Sequence, residues 1–345
     1  MQIQRHRRAG TALATVNRML TAPRVARLRR LLIAPALALA VYVPMRQPIV
    51  ARADQEPRDI LWEEPADLAA ANLFDGPWGG NHAPDPAVTF TFLRPKTHGI
   101  NPGVVVSDPS GRVWHVKQHA HNDAGAEGPV EVVISRVLSA IGYHQPPVYF
   151  LPSFRMTTDP EKRAHTQAGG RFRLRLPSLK DVGSWSWQQN PFVGTQPYQG
   201  LLAILLLFND TDFKDENNTL YRVSIDGGVE HWYVVRDLGA ALGETGRFSP
   251  RGDDAALYER SRFIAGVRNG FVEFASKSSY QKLFQRRISV ADVRWAGRLL
   301  GRLSDRQWHD AFLAGGYPPD VADRFIRKIR LNIEEARGLD AAEGP

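Results

Sequence analysis

The pattern of apolar and polar positions changes character several times along the chain. Leu31 to Val43 (LLIAPALALAVYV) is a mostly apolar run without a charge. Residues 54–87 sustain no period and are rich in Pro, Gly, Asp and Ala, with one short helical register at Ala66 to Leu73; they are expected to wrap over a domain as an N-terminal extension. Val88 to Leu93, Gly103 to Val106 and Arg112 to Gln118 are strand-like, and Asp108-Pro-Ser-Gly111 supplies turn chemistry between the last two, which predicts a hairpin. Pro129 to Ile141 carries apolar residues at 130, 133, 134, 137, 138 and 141, with Pro at its start and Gly142 past its end, the pattern of an amphipathic helix. Val148 to Phe154 and Arg171 to Leu176 follow as strands, the second alternating Arg with Phe or Leu at period two.

Beyond them the pattern turns helical. Gln199 to Phe208 is apolar nearly all round, hence a buried helix. Leu220 to Ile225 and His231 to Val235 flank a Gly227-Gly228 turn and predict a second hairpin. From Ala255 onward the expectation is helices over 255–275, Ser289 to Leu303 and Pro319 to Arg337, with Ser304-Asp-Arg-Gln307 as a capping box. A strand-rich part with one helix ahead of a helical part predicts an α+β chain of two lobes. The divisions are an N-terminal extension at 54–87, a small antiparallel-sheet lobe at 88–178, a mostly helical lobe at 179–338 and a flexible tail at 339–345.

Charge changes the picture at one end only. The net charge is +8, but residues 1–53 hold ten of the 44 basic residues and no acid, which leaves 34 basic against 36 acidic in the body. A near-neutral body argues against a nucleic-acid binder. Arg24, Arg27, Arg29 and Arg30 precede the apolar run, and Ala51-Arg52-Ala53 follows it. The run is shorter than the roughly 20 residues that span a bilayer, so these parts predict a secretory leader cleaved near Ala53, with Met19 as a second candidate start and membrane contact only through the leader. The expected location is periplasmic or secreted. The absence of cysteine excludes a disulfide scaffold, a thiol nucleophile and thiolate zinc sites.

Candidate chemistry follows the buried helix. Asn209-Asp-Thr-Asp212-Phe-Lys214-Asp-Glu-Asn217 is succeeded, after the second hairpin, by Asp237-Leu-Gly239. Asp212-x-Lys214-x-x-Asn217 resembles the catalytic loop of the protein-kinase superfamily, and Asp237-Leu-Gly239 stands where that family carries its metal-binding Asp-Phe-Gly. Lys117 ends the third strand like the phosphate-pairing lysine, and Glu131 opens the only helix of the small lobe, with Glu127 as its rival. The resemblance spans about residues 88–338, on about seven specific positions. It implies a two-lobed kinase-like fold and phosphoryl transfer from ATP or another nucleotide, with Mg2+ or Mn2+, to a hydroxyl-bearing acceptor. In that scheme Asp212 takes the acceptor proton and Lys214 steadies the phosphoryl group. Lys117, held by Glu131, meets the nucleotide phosphates, while Asn217 and Asp237 hold the metal.

The chain also departs from that family. It has no G-x-G-x-x-G, so Lys96 to Gly103 would have to cover the nucleotide; Asp210-Thr-Asp212 replaces His-Arg-Asp, and no Ala-Pro-Glu follows Asp237. These departures are nearer to atypical bacterial or secreted kinases than to the eukaryotic type. A non-catalytic kinase-like binding module is the second reading, because an exported chain meets little ATP. A third, a metal hydrolase, draws on His115, His119 and His121 with Asp123, although His-x-x-x-His on a strand spans about 13 Å, too far for one ion without a bend. Arg171, Arg173 and Arg175 share one strand face and suit a phosphate-bearing ligand. Arg251-Gly-Asp253 receives no role, and the G-x-S-x-G, H-E-x-x-H and Walker patterns are absent.

Overall fold

A computed structural model describes residues 56–97, 101–118, 127–159, 161–244 and 252–340. The expected leader and its cleavage site lie outside the described residues. The extension begins with strand β1 (Arg58–Ile60) and continues through turns, with no helix over 66–73. Its cohesion is side-chain work instead. Leu61, Leu68 and Leu73 are buried in the main core, Trp62 Nε1 donates to Ile141 O at 2.7 Å, and Gln307 Nε2 donates to Leu68 O at 2.7 Å.

Strands β2 (Thr89–Pro95), β3 (Gly103–Ser107) and β4 (Val113–Gln118) precede helix α1 (Glu127–Ala140), and β5 (Val148–Thr157) and β6 (His165–Leu174) follow it. The five strands close into a barrel in the order β2-β3-β4-β6-β5. Four pairings are antiparallel, as expected of the small lobe, and β2 meets β5 in parallel where the barrel closes. Alternation at period two turns Phe90, Val106, Trp114, Val116, Phe154 and Phe172 inward, where Phe154 and Phe172 meet edge to face at 5.1 Å. The β3–β4 hairpin forms as expected, around the buried Asp108. That carboxylate accepts from the Ser110 and Arg112 amides, both at 3.0 Å, and from the Trp114 indole at 3.2 Å.

Helix α1 is buried on nearly every side from Gly128 to Leu138, whereas its spacing suggested a solvent face. It packs against β5 and β6 on one side and against later helical elements on the other, so polar Ser135 and Arg136 are covered too. Arg136 lies over the Tyr149 ring at 4.9 Å.

After the barrel come β7 (Leu179–Gly183), α2 (Gln196–Leu207), β8 (Asn218–Ile225) and β9 (Gly228–Val235). A four-stranded sheet runs β1-β9-β8-β7, with β1 parallel to β9. Thr195 caps α2 by accepting from Tyr198 N, and Tyr198 to Leu207 are all buried. The expected helix over 255–275 is instead a short α3 (Ala255–Arg260) and an antiparallel hairpin, β10 (Ile264–Arg268) with β11 (Phe271–Phe274). Asn269 and Gly270 turn that hairpin at φ 53° and 76°, a two-residue turn that only such residues adopt cheaply. Helices α4 (Val290–Leu300), α5 (Asp305–Ala314) and α6 (Pro319–Arg337) close the chain, α4 and α5 each beginning in a complete capping box, at Ser289–Asp292 and Ser304–Gln307. The fold is α+β and two-lobed: a barrel lobe with one helix, then a lobe that joins six strands to five helices among the described residues.

Candidate active site

Four local devices bring the candidate residues to one cleft. Strand β4 points Trp114 and Val116 into the barrel, so His115 and Lys117 project from the opposite face. Helix α1 presents Glu127 and Glu131 one turn apart. Asn209, at φ 59°, turns the chain out of α2 and donates from Nδ2 to Gly243 O at 2.9 Å, which sets the start of the 210–217 segment. Asp237 also sits in the left-handed region, at φ 59° and ψ 41°, and there its carboxylate leaves the end of β9 toward Lys117. Gly239 follows it because nothing larger fits: an added Cβ would stand 2.7 Å from Glu127 O.

Lys117 is the hub. Its side chain is 4% exposed and its ammonium contacts Asp237 Oδ1, with Glu127 Oε2 at 2.6 Å and Glu131 Oε2 at 3.7 Å. Burial by itself would lower its pKa, but Glu131, Asp237 and Glu127 together reverse that and hold it above the ordinary lysine value. Burial likewise pushes the Asp237 carboxyl up, while Lys117, Arg171 and Lys96 outweigh that and keep it below the usual carboxylate range. Glu131 also meets Arg171 Nε at 3.0 Å, so it bridges two buried cations. Glu127 accepts from Asn101, tying the helix start to the segment before β3. Lys96 donates to Asn101 O at 3.1 Å, and burial together with Lys117 lowers its pKa.

Across the cleft, Asp212 accepts from Lys214 Nζ, 2.8 Å from Oδ1, and from Asn217 Nδ2 at 3.1 Å. Asn217 spends the same amide nitrogen on Asp212 O, also at 3.1 Å, which leaves its Oδ1 as a neutral oxygen donor. Lys214 stays about half exposed, and the hydrogen bond to Asp212 raises its pKa. Below them Asp210 is buried and accepts the Asp212 amide at 3.2 Å.

The structure thus gathers all six residues singled out from the sequence: Lys117, Asp212, Lys214, Asn217 and Asp237 line a cleft of about 420 Å3, and Glu131 stands behind Lys117. Glu127, the rival, lines the cleft itself and lies closer to Lys117 than Glu131 does. Arg236 and Arg173 also line it, and spacing alone had not pointed to Arg236 or to Asp210. The oxygens of Asp237 and Asn217 suit Mg2+, which takes one or two protein ligands and completes its shell with water and phosphate oxygens. Of the histidine set, His115 is on β4, but His119, His121 and Asp123 lie outside the described residues, as do residues 98–100 of the expected covering loop. Among the described residues no group of three His, Asp or Glu side chains is placed to hold a metal.

No protein-family model matches the chain, and no curated protein matches it. Among solved structures it is similar to the Helicobacter pylori proinflammatory kinase CtkA, at 10% identity and a TM-score of 0.34, with 72% of this chain covering 99% of that one. It is also similar to Rio2 kinase from Chaetomium thermophilum, solved as an ADP/Mg2+–phosphoaspartate complex, at 12% identity and a TM-score of 0.25, covering 71% of this chain and 72% of that one. Both of these proteins are kinases.

Proposed function

We propose that the chain is a kinase-like phosphotransferase that moves a phosphoryl group from a nucleotide such as ATP to a hydroxyl acceptor. The observation that carries this reading is the ion-paired cluster of Lys117, Glu127, Glu131 and Asp237, assembled from a strand, a helix and a turn and facing Asp212, Lys214 and Asn217 across one cleft. Phosphoryl transfer asks little covalent work of a protein; it asks for charge neutralisation and position. Lys117, fixed by Glu127 and Glu131, meets phosphate oxygens. Asp237 and Asn217 hold Mg2+ or Mn2+, which when bound neutralises phosphate charge. Asp212 orients the acceptor hydroxyl and takes its proton, and Lys214 steadies the transferred group. Export through the 31–43 run and cleavage near Ala53 belong to the same proposal, which then requires a donor available outside the cytoplasm.

The test separates binding from chemistry. Asp237→Ala loses metal-dependent nucleotide binding, measured by titration calorimetry. Asp212→Ala keeps nucleotide affinity and lowers turnover by about 10² to 10⁴-fold, the range for a general base. Full activity in both variants refutes the assignment. Nucleotide binding by the native chain with no transfer to any acceptor makes it a non-catalytic binding module instead.

A further inference from the structure

Gly252 and Asp253, left without a role by the sequence, stand behind the lysine hub, where three stretches of backbone lie against one another. The first is the start of α1 at Glu127, the second the turn that follows Asp237, and the third the return of the chain at 252–254. Gly239 meets Glu127 too closely for a side chain, and the same holds one layer out: a Cβ on Gly252 would stand 2.6 Å from Gly239 O. Backbone hydrogen bonds close the outer layer, Asp253 N donating to Ala241 O at 3.0 Å and Asp254 N to Leu242 O at 2.9 Å. Leu242 N in turn donates to Phe208 O at 2.7 Å, which fastens the middle layer to the end of α2, just ahead of the segment that carries Asp212.

The turn between α5 and α6 grips this stack from outside. Tyr317 is buried there, its ring packed on Phe312 and Phe325 with centroids 5.3 and 5.7 Å away, and its hydroxyl donates to Asp253 Oδ1 at 2.5 Å. Asp253 sits in the left-handed region, at φ 56°, a conformation that a short hydrogen-bonded side chain helps to hold. Burial, and then Asp253, raise the Tyr317 pKa well above the ordinary tyrosine value, so the hydroxyl keeps the proton that it donates. The two residues ahead of Tyr317 reach the small lobe. A Cβ on Gly315 would stand 2.9 Å from Pro129 O in α1, and one on Gly316 would overlap the Phe150 ring on β5. One turn of the helical lobe therefore touches α1 directly and holds, through Asp253, the layers stacked on Glu127.

We propose that Tyr317, acting through Asp253, is a positioning residue that keeps the start of α1 and the segment after Asp237 in the register the lysine hub requires. Glu127 and Asp237 are the two carboxylates closest to Lys117, and each belongs to one of the stacked stretches. A small shift between those stretches moves both carboxylates against the ammonium, and a site of this kind is only as exact as the groups that support it. The consequence for nucleotide binding rests on the phosphotransferase reading; the tether itself does not.

Tyr317→Phe removes the hydroxyl and keeps the ring. Ser289→Ala is the control, because it unmakes the capping box of α4, a helix packed on α2, α6 and β11. Hydrogen exchange of the nucleotide-free chain, followed by mass spectrometry, is expected to quicken in Tyr317→Phe over 127–138, 238–244 and 252–258 by about fivefold more than in peptides from α4 and α6. Ser289→Ala shows no such excess in the three stretches. Gly252→Ala disturbs the same stack by overlap and is expected to reproduce the regional pattern. Tyr317→Phe also weakens MgADP about fivefold in calorimetry, against less than about twofold for Ser289→Ala. Exchange that is unchanged, or that quickens equally throughout the chain, overturns the proposal, as does MgADP affinity left intact by Tyr317→Phe. A native chain that binds no MgADP refutes the phosphotransferase reading alone, and the exchange pattern then decides the tether by itself.

Discussion

Asp210→Asn makes the proton held on a buried carboxyl measurable as a pH dependence of stability. Asp210 is 6% exposed, in the turn between α2 and the segment that carries Asp212. Burial pushes its carboxyl from 3.8 up to about 7; the Asp212 amide opposes that shift, while Asp212, Asp237 and Glu127 add to it. Below about pH 4 the carboxyl is protonated whether the chain is folded or not, and it contributes nothing to the pH dependence. Between about pH 4 and pH 7 the native state holds the proton that the unfolded state releases, so stability falls as pH rises, then levels off above about pH 7. Roughly three pH units at about 1.4 kcal/mol each set a ceiling of about 4 kcal/mol. Asparagine cannot titrate, and any fixed cost of its extra N–H donor is the same at every pH. The difference between variant and native stability should therefore move in favour of the asparagine variant by about 2 to 4 kcal/mol from pH 4 to pH 8. Urea unfolding at several pH values across that window measures it. A difference that stays flat with pH refutes the claim that Asp210 is held protonated by burial.

Two further substitutions probe how the lysine hub is held. Glu131→Gln strips a carboxylate that serves both Lys117 and Arg171 in a buried setting and should cost about 3 kcal/mol in urea unfolding, whereas Glu127→Gln, with a side chain 35% exposed, should cost less than about 1 kcal/mol while still weakening nucleotide affinity. Equal stability losses in the two variants would contradict this division of labour. Gly239→Ala would set a Cβ 2.5 Å from Glu127 Cβ, so it should destabilise by about 1 to 3 kcal/mol and lower nucleotide affinity by displacing the start of α1; unchanged nucleotide affinity by calorimetry would contradict that.

What the sequence made legible was the chemistry that acts locally. Turn residues define the β3–β4 hairpin, with Asp108 accepting from the amides of its own turn, and Ser304 and Gln307 form the capping box that their spacing announces. The error over 255–275 has a plain cause: Ile264, Val267, Phe271 and Val272 fall at helical spacing, yet Asn269-Gly270 between them is a hairpin turn, and the turn chemistry won. Strand β7 left no comparable trace, because Lys180 to Gly183 are exposed and the strand exists through its ladder with β8. Barrel closure by β2 and β5 depends on a pairing across some sixty residues, which no local pattern encodes.

The site divides the same way. Lys117, Asp212, Lys214, Asn217 and Asp237 were singled out through the resemblance to kinase motifs, and the structure brings all five to one cleft. Glu127 and Glu131 lie four residues apart on one helix face, so spacing could not choose between them, and the structure gives each a different neighbour: Asn101 for the first, Arg171 for the second. The alternating arginines of β6 were visible as a face but not as two environments. That distinction depends on which carboxylates reach which rung: Glu131 pairs with Arg171, while Arg173, at the next rung of the same ladder, feels Glu131 only at a distance. A cleft charged in this graded way orients what it binds. In the proposed reading Lys117, Asn217 and Asp237 would take the donor phosphates and their metal ion, at the end of the cleft where Glu127, Glu131 and Asp237 already hold the lysine.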